Sequence, residues 1–435
     1  MSTLNFDEFA PSTIQDWQRL VTKELGEKSM ESLNWTMDEG LVAESYVLAS
    51  DESFAMELPA QWEMVQRIAA NSAKQWNARA LESLMGGSNA LVMFTAPAEE
   101  SDFYAMLEGV LLQYISLHIE QSHDWKNTSE HILQWCEKHQ LNSKQLRGSF
   151  AADSSTFSDD DFKWWVTFVK NNFTLFRGLA VDVRHVHDSG GSAMQEIAYA
   201  LTEGHAVLVR CMDAGLSIDE ASALLQFNFS TGSSYFTEIA KYRAFRWAWK
   251  SIIEQYQPQY DCSVHTHIQA STSRYTQTAK DAHNNLLRAT TQAMSAIVGG
   301  VNGMLIEPYN SWSSNDDDAA LRWSRNIQQL LTEESYFEQF RTAANGAHYI
   351  ESLTGKLIHA AWQLFQQWDA IYATKGQASF REVWQSAAEA HRQRMLTELN
   401  EGTRIVVGVN KYVNKADASV VGSHANTLTA SLENS

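Results

Sequence analysis

GLAVDVRHVHD (residues 178–188), SAMQEIAYALTEGHAVLVRCM (192–212) and LLQFNFS (224–230) are the stretch that decides the fold. The first and third are short apolar runs of the kind that suits strands buried on both faces. The middle one repeats its apolar residues at helical spacing. Strand, helix and strand in this order read as one unit of a parallel sheet. Upstream lie four more strand-like runs, EMVQRIAA (63–70), NALVMFTA (89–96), YISLHIE (114–120) and LRGSFAAD (146–153). Downstream lie two, CSVHTHIQAS (262–271) and MLIEPY (304–309). Between them come helical patterns such as SSYFTEIAKYRAFRWAWKSIIEQY (233–256) and NNLLRATTQAMSAIVGG (284–300), the latter closed by Gly299–Gly300 as a helix stop. Eight strands separated by helices predict an α/β fold, a (β/α)8 TIM-type barrel. A doubly wound open sheet is the alternative, but neither GxGxxG nor GxxxxGK[ST] occurs to supply its phosphate loop.

The flanks extend this frame. STIQDWQRLVTKEL (12–25) predicts an amphipathic helix capped by Ser12, within an N-terminal arm over residues 1–60 that is too short to bury a core. The barrel is expected over 61–414, with extra C-terminal helices at 319–335, 351–372 and 379–402 and a short apolar segment, RIVVGVNKYV (404–413). The small, polar stretch 415–435 shows no periodicity and is expected to be a disordered tail.

At 435 residues and 44% hydrophobic, the chain has material for a large core. Its formal charge, 33 − 52 = −19, disfavours nucleic acid and anionic membrane surfaces as partners. Cys136, Cys211 and Cys262 lie far apart, which excludes a disulfide framework or a CxxC zinc site and fits a reducing compartment. The acidic N-terminus lacks the features of a secretory or transit signal, and no apolar run approaches the roughly 20 residues of a bilayer span. A cytoplasmic location follows as the expectation.

In such a barrel the chemistry belongs at the C-terminal ends of the strands. RHVHDSGG (184–191) offers Arg184, His185, His187 and Asp188; SVHTHIQAS offers His265, His267, Gln269 and Ser271; Asn228 and Glu307 end their own runs. The paired histidines admit a metal-dependent barrel enzyme, although HxH alone is a weak signal and no metal ligand is assigned. No GxSxG elbow supports a nucleophilic serine. Lys241, Arg243, Arg246 and Lys250, on one predicted helix, could meet a phosphorylated substrate or form a solvated face.

SYFTEIAKYRAFRWAW (234–249), THIQAS (266–271), AHNNLLRATTQAMSAIVGG (282–300), RWSRNIQQLLTEES (322–335), HYIESLTGKLIHAAWQLF (348–365) and RIVVGVNKY (404–412) resemble, in this order, the substrate barrel of the methylmalonyl-CoA mutase family. WQRLVTKEL (17–25) and LNWTMDEGLVAESY (33–46) are similar to that family's N-terminal arm. The resemblance implies adenosylcobalamin-dependent interconversion of methylmalonyl-CoA and succinyl-CoA, with acyl-CoA threaded along the barrel axis. It also implies a cobalamin domain marked by DxHxxG, a motif absent from these 435 residues, so the cofactor of the complex is not expected on a domain of this chain. On the family's Tyr-His pair, His185 falls on the histidine while Arg184 replaces the tyrosine, which leaves His185 as a vestigial catalytic candidate. Arg184, His187, Asn228, Arg243, Thr266, His267, Gln269 and Ser271 are the positions the resemblance offers for substrate binding. HDSGGSAMQEIAYAL (187–201) looks like the family's degenerate small subunit, which pairs with a large catalytic subunit as a heterodimer. The expectation is therefore a non-catalytic small subunit. The alternatives are an active acyl-CoA mutase barrel served by a separate cobalamin-domain chain, with Arg184 as its carboxylate clamp, or the metal enzyme.

Overall fold

The computed structural model describes residues 12–37, 40–48, 53–55, 57–312, 317–414 and 427–430. The chain divides into two compact units, Met1–Asp51 and Glu52–Ser435. The second begins earlier than residue 61, and the reason is visible at Phe54. Its N–H donates to Glu351 at 2.8 Å, its carbonyl accepts from Arg243 at 3.1 Å, and its ring meets Trp247 edge-on at 5.5 Å.

The smaller unit holds a helix, Ile14–Leu25, whose N-cap is Thr13, one residue after the expected Ser12. Thr13 and Asp16 form a reciprocal capping box, with the Asp16 N–H on the Thr13 hydroxyl and the Asp16 carboxylate on the Thr13 N–H. A two-stranded antiparallel ladder joins Trp35–Thr36 to Val42–Ala43, and the Trp17 ring lies tilted against Tyr46 with centroids 4.7 Å apart. None of the helix residues is buried and Trp35 is 52% exposed, as expected for a segment without a core of its own.

The larger unit contains nine parallel strands: β1 (Glu63–Ile68), β2 (Ala90–Thr95), β3 (Ser116–Gln121), β4 (Arg147–Phe150), β5 (Phe176–Arg177), β6 (Leu179–Asp182), β7 (Leu225–Thr231), β8 (His267–Thr272) and β9 (Gly303–Leu305). Their hydrogen-bonded order is β5-β4-β3-β2-β1-β9-β8-β7-β6. The two ends of that order, β5 and β6, are separated in the chain by Gly178 alone, so the sheet has no free edge and closes as a barrel. Gly178 N–H donates to Leu224 at 2.9 Å and Ala180 N–H to Ala152 at 3.2 Å, which stitches the junction. Each of the eight predicted runs supplies one barrel stave, and the stave predicted at 178–188 turns into a short helix, Arg184–Asp188.

The surrounding helices are α1 (Ala73–Met85), α2 (Glu100–Leu107), α3 (Trp125–His139), α4 (Asp159–Asn172), α5 (Ala193–Asp213), α6 (Tyr235–Gln255) and α7 (Asn284–Gly299). Aromatic packing seats them. Phe150 of β4 meets Trp165 of α4 at 5.2 Å, and the Trp165 indole N–H donates to the Gly178 carbonyl at 2.9 Å. Two further helices follow, α8 (Asp318–Gln329) and α9 (His348–Glu401), and α9 is broken at Gly376 by φ 82° into the two stretches the sequence predicts. Of the segment expected to be a disordered tail, Thr427–Ala430 is placed and mostly buried. Leu428 packs on Tyr275, Met395 and Leu399, with its N–H on the Tyr275 carbonyl at 2.8 Å. The remaining residues of that segment, 415–426 and 431–435, lie outside the described residues.

Candidate functional site

Alternation along the strands aims one set of side chains down the barrel axis. From β1 these are Glu63 and Arg67, and from β3 Ser116, His118 and Glu120, because their contacts span the two strands across β2. From β7 and β8, Gln226, Asn228 and Gln269 join in one chain: the Gln226 amide donates to Asn228 at 2.7 Å and to Gln269 at 2.9 Å. A barrel of this architecture is ordinarily filled by bulky branched side chains. Here an apolar wall of Val65, Ala90, Val92 and Leu305 faces a polar lumen.

At the C-terminal mouth the lumen is crossed by ion pairs. Arg184 lays its guanidinium along Asp182, with Nε to Oδ1 at 2.9 Å and Nη2 to Oδ2 at 2.7 Å, and reaches Glu120 with Nη1 at 2.7 Å. Arg67 donates to both Glu120 oxygens at 3.1 and 3.2 Å and to Glu307. Two guanidiniums thus face three carboxylates. Burial alone would raise the Asp182 and Glu120 carboxyls, but the neighbouring arginines hold both below their usual range.

The opposite end of the barrel holds a second group. Glu63 accepts from Ser116 at 2.5 Å and lies 3.0 Å from His118 Nε2. Burial would raise its carboxyl, yet hydrogen bonding and charge from His118 bring it down to about 2. His267 opens β8 at this end, where burial and then Arg177 push its imidazole down to about 3, so it stays neutral. His267 is therefore remote from the catalytic face on which the sequence placed it. His265 lies before β8 and is exposed, and Thr266 is buried there with its carbonyl on Arg246 at 2.7 Å.

Other expectations also move. Asn228 sits at the centre of β7, since the strand runs on to Thr231. Ser271 faces the upper lumen, its hydroxyl 3.4 Å from the Phe229 carbonyl. His185 and His187 lie on the short helix, where residues two apart point in different directions. His185 contacts Tyr199 and Trp384 at 4.9 and 5.0 Å in the outer helical layer. Among the described residues no three His, Cys, Asp or Glu side chains gather as metal ligands. The basic helix is mostly internal bracing. Arg243 is 1% exposed and pairs with Glu351 at 2.6 Å, Arg246 donates to the Gly300 and Thr266 carbonyls, and only Lys250 sits in a solvated pair with Glu254. Arg243 therefore faces α9, on Glu351 and Thr354, and not the lumen.

The sequence missed a sealed chain beside the mouth. Ser273 Oγ lies 2.8 Å from His187 Nε2, and His187 Nδ1 lies 2.8 Å from Glu196, which also binds Lys241 at 2.8 Å. This resembles a nucleophile relay, but Ser273 is 1% exposed and its hydroxyl already accepts from the Thr276 N–H. The mouth residues Arg67, Glu120 and Asp182 were missed as well. Charged or histidine side chains at even spacing in strand-like runs, four apart in Glu63 and Arg67 and two apart in His118 and Glu120, were the available signal.

A groove of about 1110 Å3 lies off-axis at the same rim, lined in part by His123, Trp125, Asp153, Phe157, Asp160 and Trp164. Its carboxylates suit an anionic CoA ester poorly. The cofactor implied by the resemblance fares no better at the axis. A corrin needs an open, largely apolar floor, and here the space is spanned by arginine and carboxylate side chains bound to one another. The residues present do not fit the group.

No helix is long and apolar enough to cross a membrane among the described residues. The family model described as methylmalonyl-CoA mutase matches residues 95–427. A methylmalonyl-CoA mutase small subunit of Porphyromonas gingivalis is 40% identical over 193 residues, covering 44% of this chain and 31% of that protein. The small subunit from Streptomyces virginiae is 27% identical over 395 residues, covering 83% of this chain and 64% of its own length. Methylmalonyl-CoA mutase of Escherichia coli is 23% identical over 92% of this chain and 64% of its own length. The chain thus spans less than two thirds of these relatives. With a match over most of its length and the barrel in place, the chain belongs to the methylmalonyl-CoA mutase family.

Proposed function

We propose that this chain is the small subunit of an adenosylcobalamin-dependent methylmalonyl-CoA mutase and acts as the non-catalytic partner of a large subunit in a cytoplasmic heterodimer. In that assembly the cofactor supplies radical chemistry for the interconversion of methylmalonyl-CoA and succinyl-CoA on the large subunit. The observation that carries the reading is the mouth of the barrel. Each of the three guanidinium nitrogens of Arg184 is committed to Asp182 or Glu120, so the group that could grip a substrate carboxylate is neutralised within its own chain. His185, on the family's catalytic position, faces Tyr199 and Trp384. The small-subunit relatives support the same reading.

The role left to such a barrel is association. The exposed aromatic side chain of Trp35 in the N-terminal unit offers an anchor of the kind that dominates interface energetics. Arg184→Ala in the assembled mutase separates this reading from an active barrel. Turnover should persist at the wild-type rate. Its abolition would assign the carboxylate clamp to Arg184 and make this chain catalytic.

A further inference from the structure

Four elements of the C-terminal face converge on one sealed cluster of charges. The short helix Arg184–Asp188 brings His187, α5 brings Glu196, α6 brings Glu238 and Lys241, and the loop after β8 brings Ser273. Lys241 Nζ lies 2.8 Å from Glu196, 2.7 Å from Glu238 and 2.8 Å from the Ser230 carbonyl. His187 bridges Glu196 and Ser273 at 2.8 Å each. Lys241 is wholly buried, and the other three charged groups nearly so. Gly232 presses against the cluster from outside: a Cβ there would stand 3.0 Å from Glu238 Oε1 and 3.2 Å from His187 Cε1.

Counting charges decides the state of this cluster. Two carboxylates face one ammonium, so a neutral imidazole would leave one uncompensated negative charge in a dry interior, which is strongly disfavoured. One additional proton on His187, which lies between Glu196 and Ser273, restores the balance. Burial alone would lower the His187 imidazole, but the charge and hydrogen bond of Glu196 outweigh it and raise it. Burial raises Glu238 in the same direction. The other groups facing His187 do not reverse this. Asp188 on its own helix adds negative charge, the positive charge of Lys241 is already counted, and Tyr275 from the loop presents its ring at 6.1 Å.

We propose that this cluster is a proton-operated lock, which in its charge-balanced form fastens the Ser273–Thr278 loop to the short helix and α5, and which loosens that loop when the extra proton leaves. The loop matters because its Tyr275 carbonyl seats Leu428, so the lock also governs how the segment Thr427–Ala430 is held at the C-terminal face. A group with a raised folded pKa contributes stability in full below its unfolded value, about 6.5 for an imidazole, and loses it as pH rises through the folded value. The lock is therefore closed at acidic and neutral pH and weakens on the alkaline side.

The full chain tests this without a partner. Hydrogen exchange of the 273–278 amides, corrected for intrinsic rates, and the thermal midpoint are followed from pH 6 to pH 10. Wild type should lose protection in that loop and fall in midpoint on the alkaline limb. His187→Gln, which stays neutral and keeps a donor and an acceptor, should flatten both. Equal alkaline limbs in wild type and His187→Gln would overturn the proposal. Should the variant not fold, the carbon-bound imidazole protons of wild-type His187 decide. Titration above 6.5 supports the lock, and titration at or below 6.5 refutes it.

Discussion

Arg184 shows how one side chain can look catalytic in sequence and structural in space. Read along the chain it is a cation at a barrel mouth, next to a histidine on the position the resemblance marks as catalytic. In three dimensions its nitrogens are shared between Asp182 and Glu120, and the second of these also holds Arg67. That pairing joins residues 64 apart in sequence, and no local pattern reports it. Glu120 is the keystone, because two guanidiniums depend on it. Glu120→Gln should cost about 3 kcal/mol, the low end for breaking a buried ion pair, as the arginines are still partly solvated. Chemical denaturation would show this as a lower midpoint with an unchanged slope. His267 teaches the complementary lesson. Its residue type suits a site, but β8 begins at His267 and puts it at the far end of the axis, next to Glu63 and Arg177.

At the level of elements the sequence was far more legible. The apolar runs are contiguous and mostly bounded by helices, so every strand except β5, two residues long and outside all eight runs, could be recognised from its own composition. What composition left open was where a stave ends. The run 178–188 continues past Asp182 into a helix, which splits the two histidines between different environments. Close approach between neighbouring strands makes its own demand at Gly148 in β4, where φ is 144° and a Cβ would fall 1.9 Å from the Leu117 carbonyl oxygen. Backbone cannot yield there as a flexible side chain would. Gly148→Ala should therefore destabilise by more than about 3 kcal/mol, beyond the usual range for overpacking, and a soluble fold of wild-type stability would contradict the register of β3 on β4.

The interface between α5 and α9 carries a different signature. Glu203 of α5 faces Gln377, just past the Gly376 break, at 3.4 Å. Burial, reinforced by Asp153, pushes its carboxyl up to about 7. An acid whose folded pKa is raised binds its proton more tightly in the folded state. Stability is then lost as pH rises from the unfolded carboxyl value toward 7, and is level above it. Thermal midpoints of Glu203→Gln should lack that decline between pH 5 and pH 7, while wild type shows it.

For the whole molecule, the division at Asp51 separates a barrel with its own core from a short unit whose described residues have almost none. In the assembly proposed above, this segment is the part offered to the other chain. Trp35→Ala should leave the thermal midpoint of this chain unchanged, because the ring is half exposed, and weaken association with the large subunit by about 2 kcal/mol, roughly 30-fold in affinity. Titration calorimetry reads both the affinity and its loss.

The central claim is that this barrel completes a mutase by association while the chemistry proceeds on its partner. Light scattering after size exclusion, on this chain mixed with the large mutase subunit of its own organism, tests that most directly when the same fractions are assayed for turnover. A one-to-one complex that converts methylmalonyl-CoA, beside an inactive free chain, is the predicted result. Two separate peaks, or turnover by this chain in the absence of the large subunit, would contradict the account.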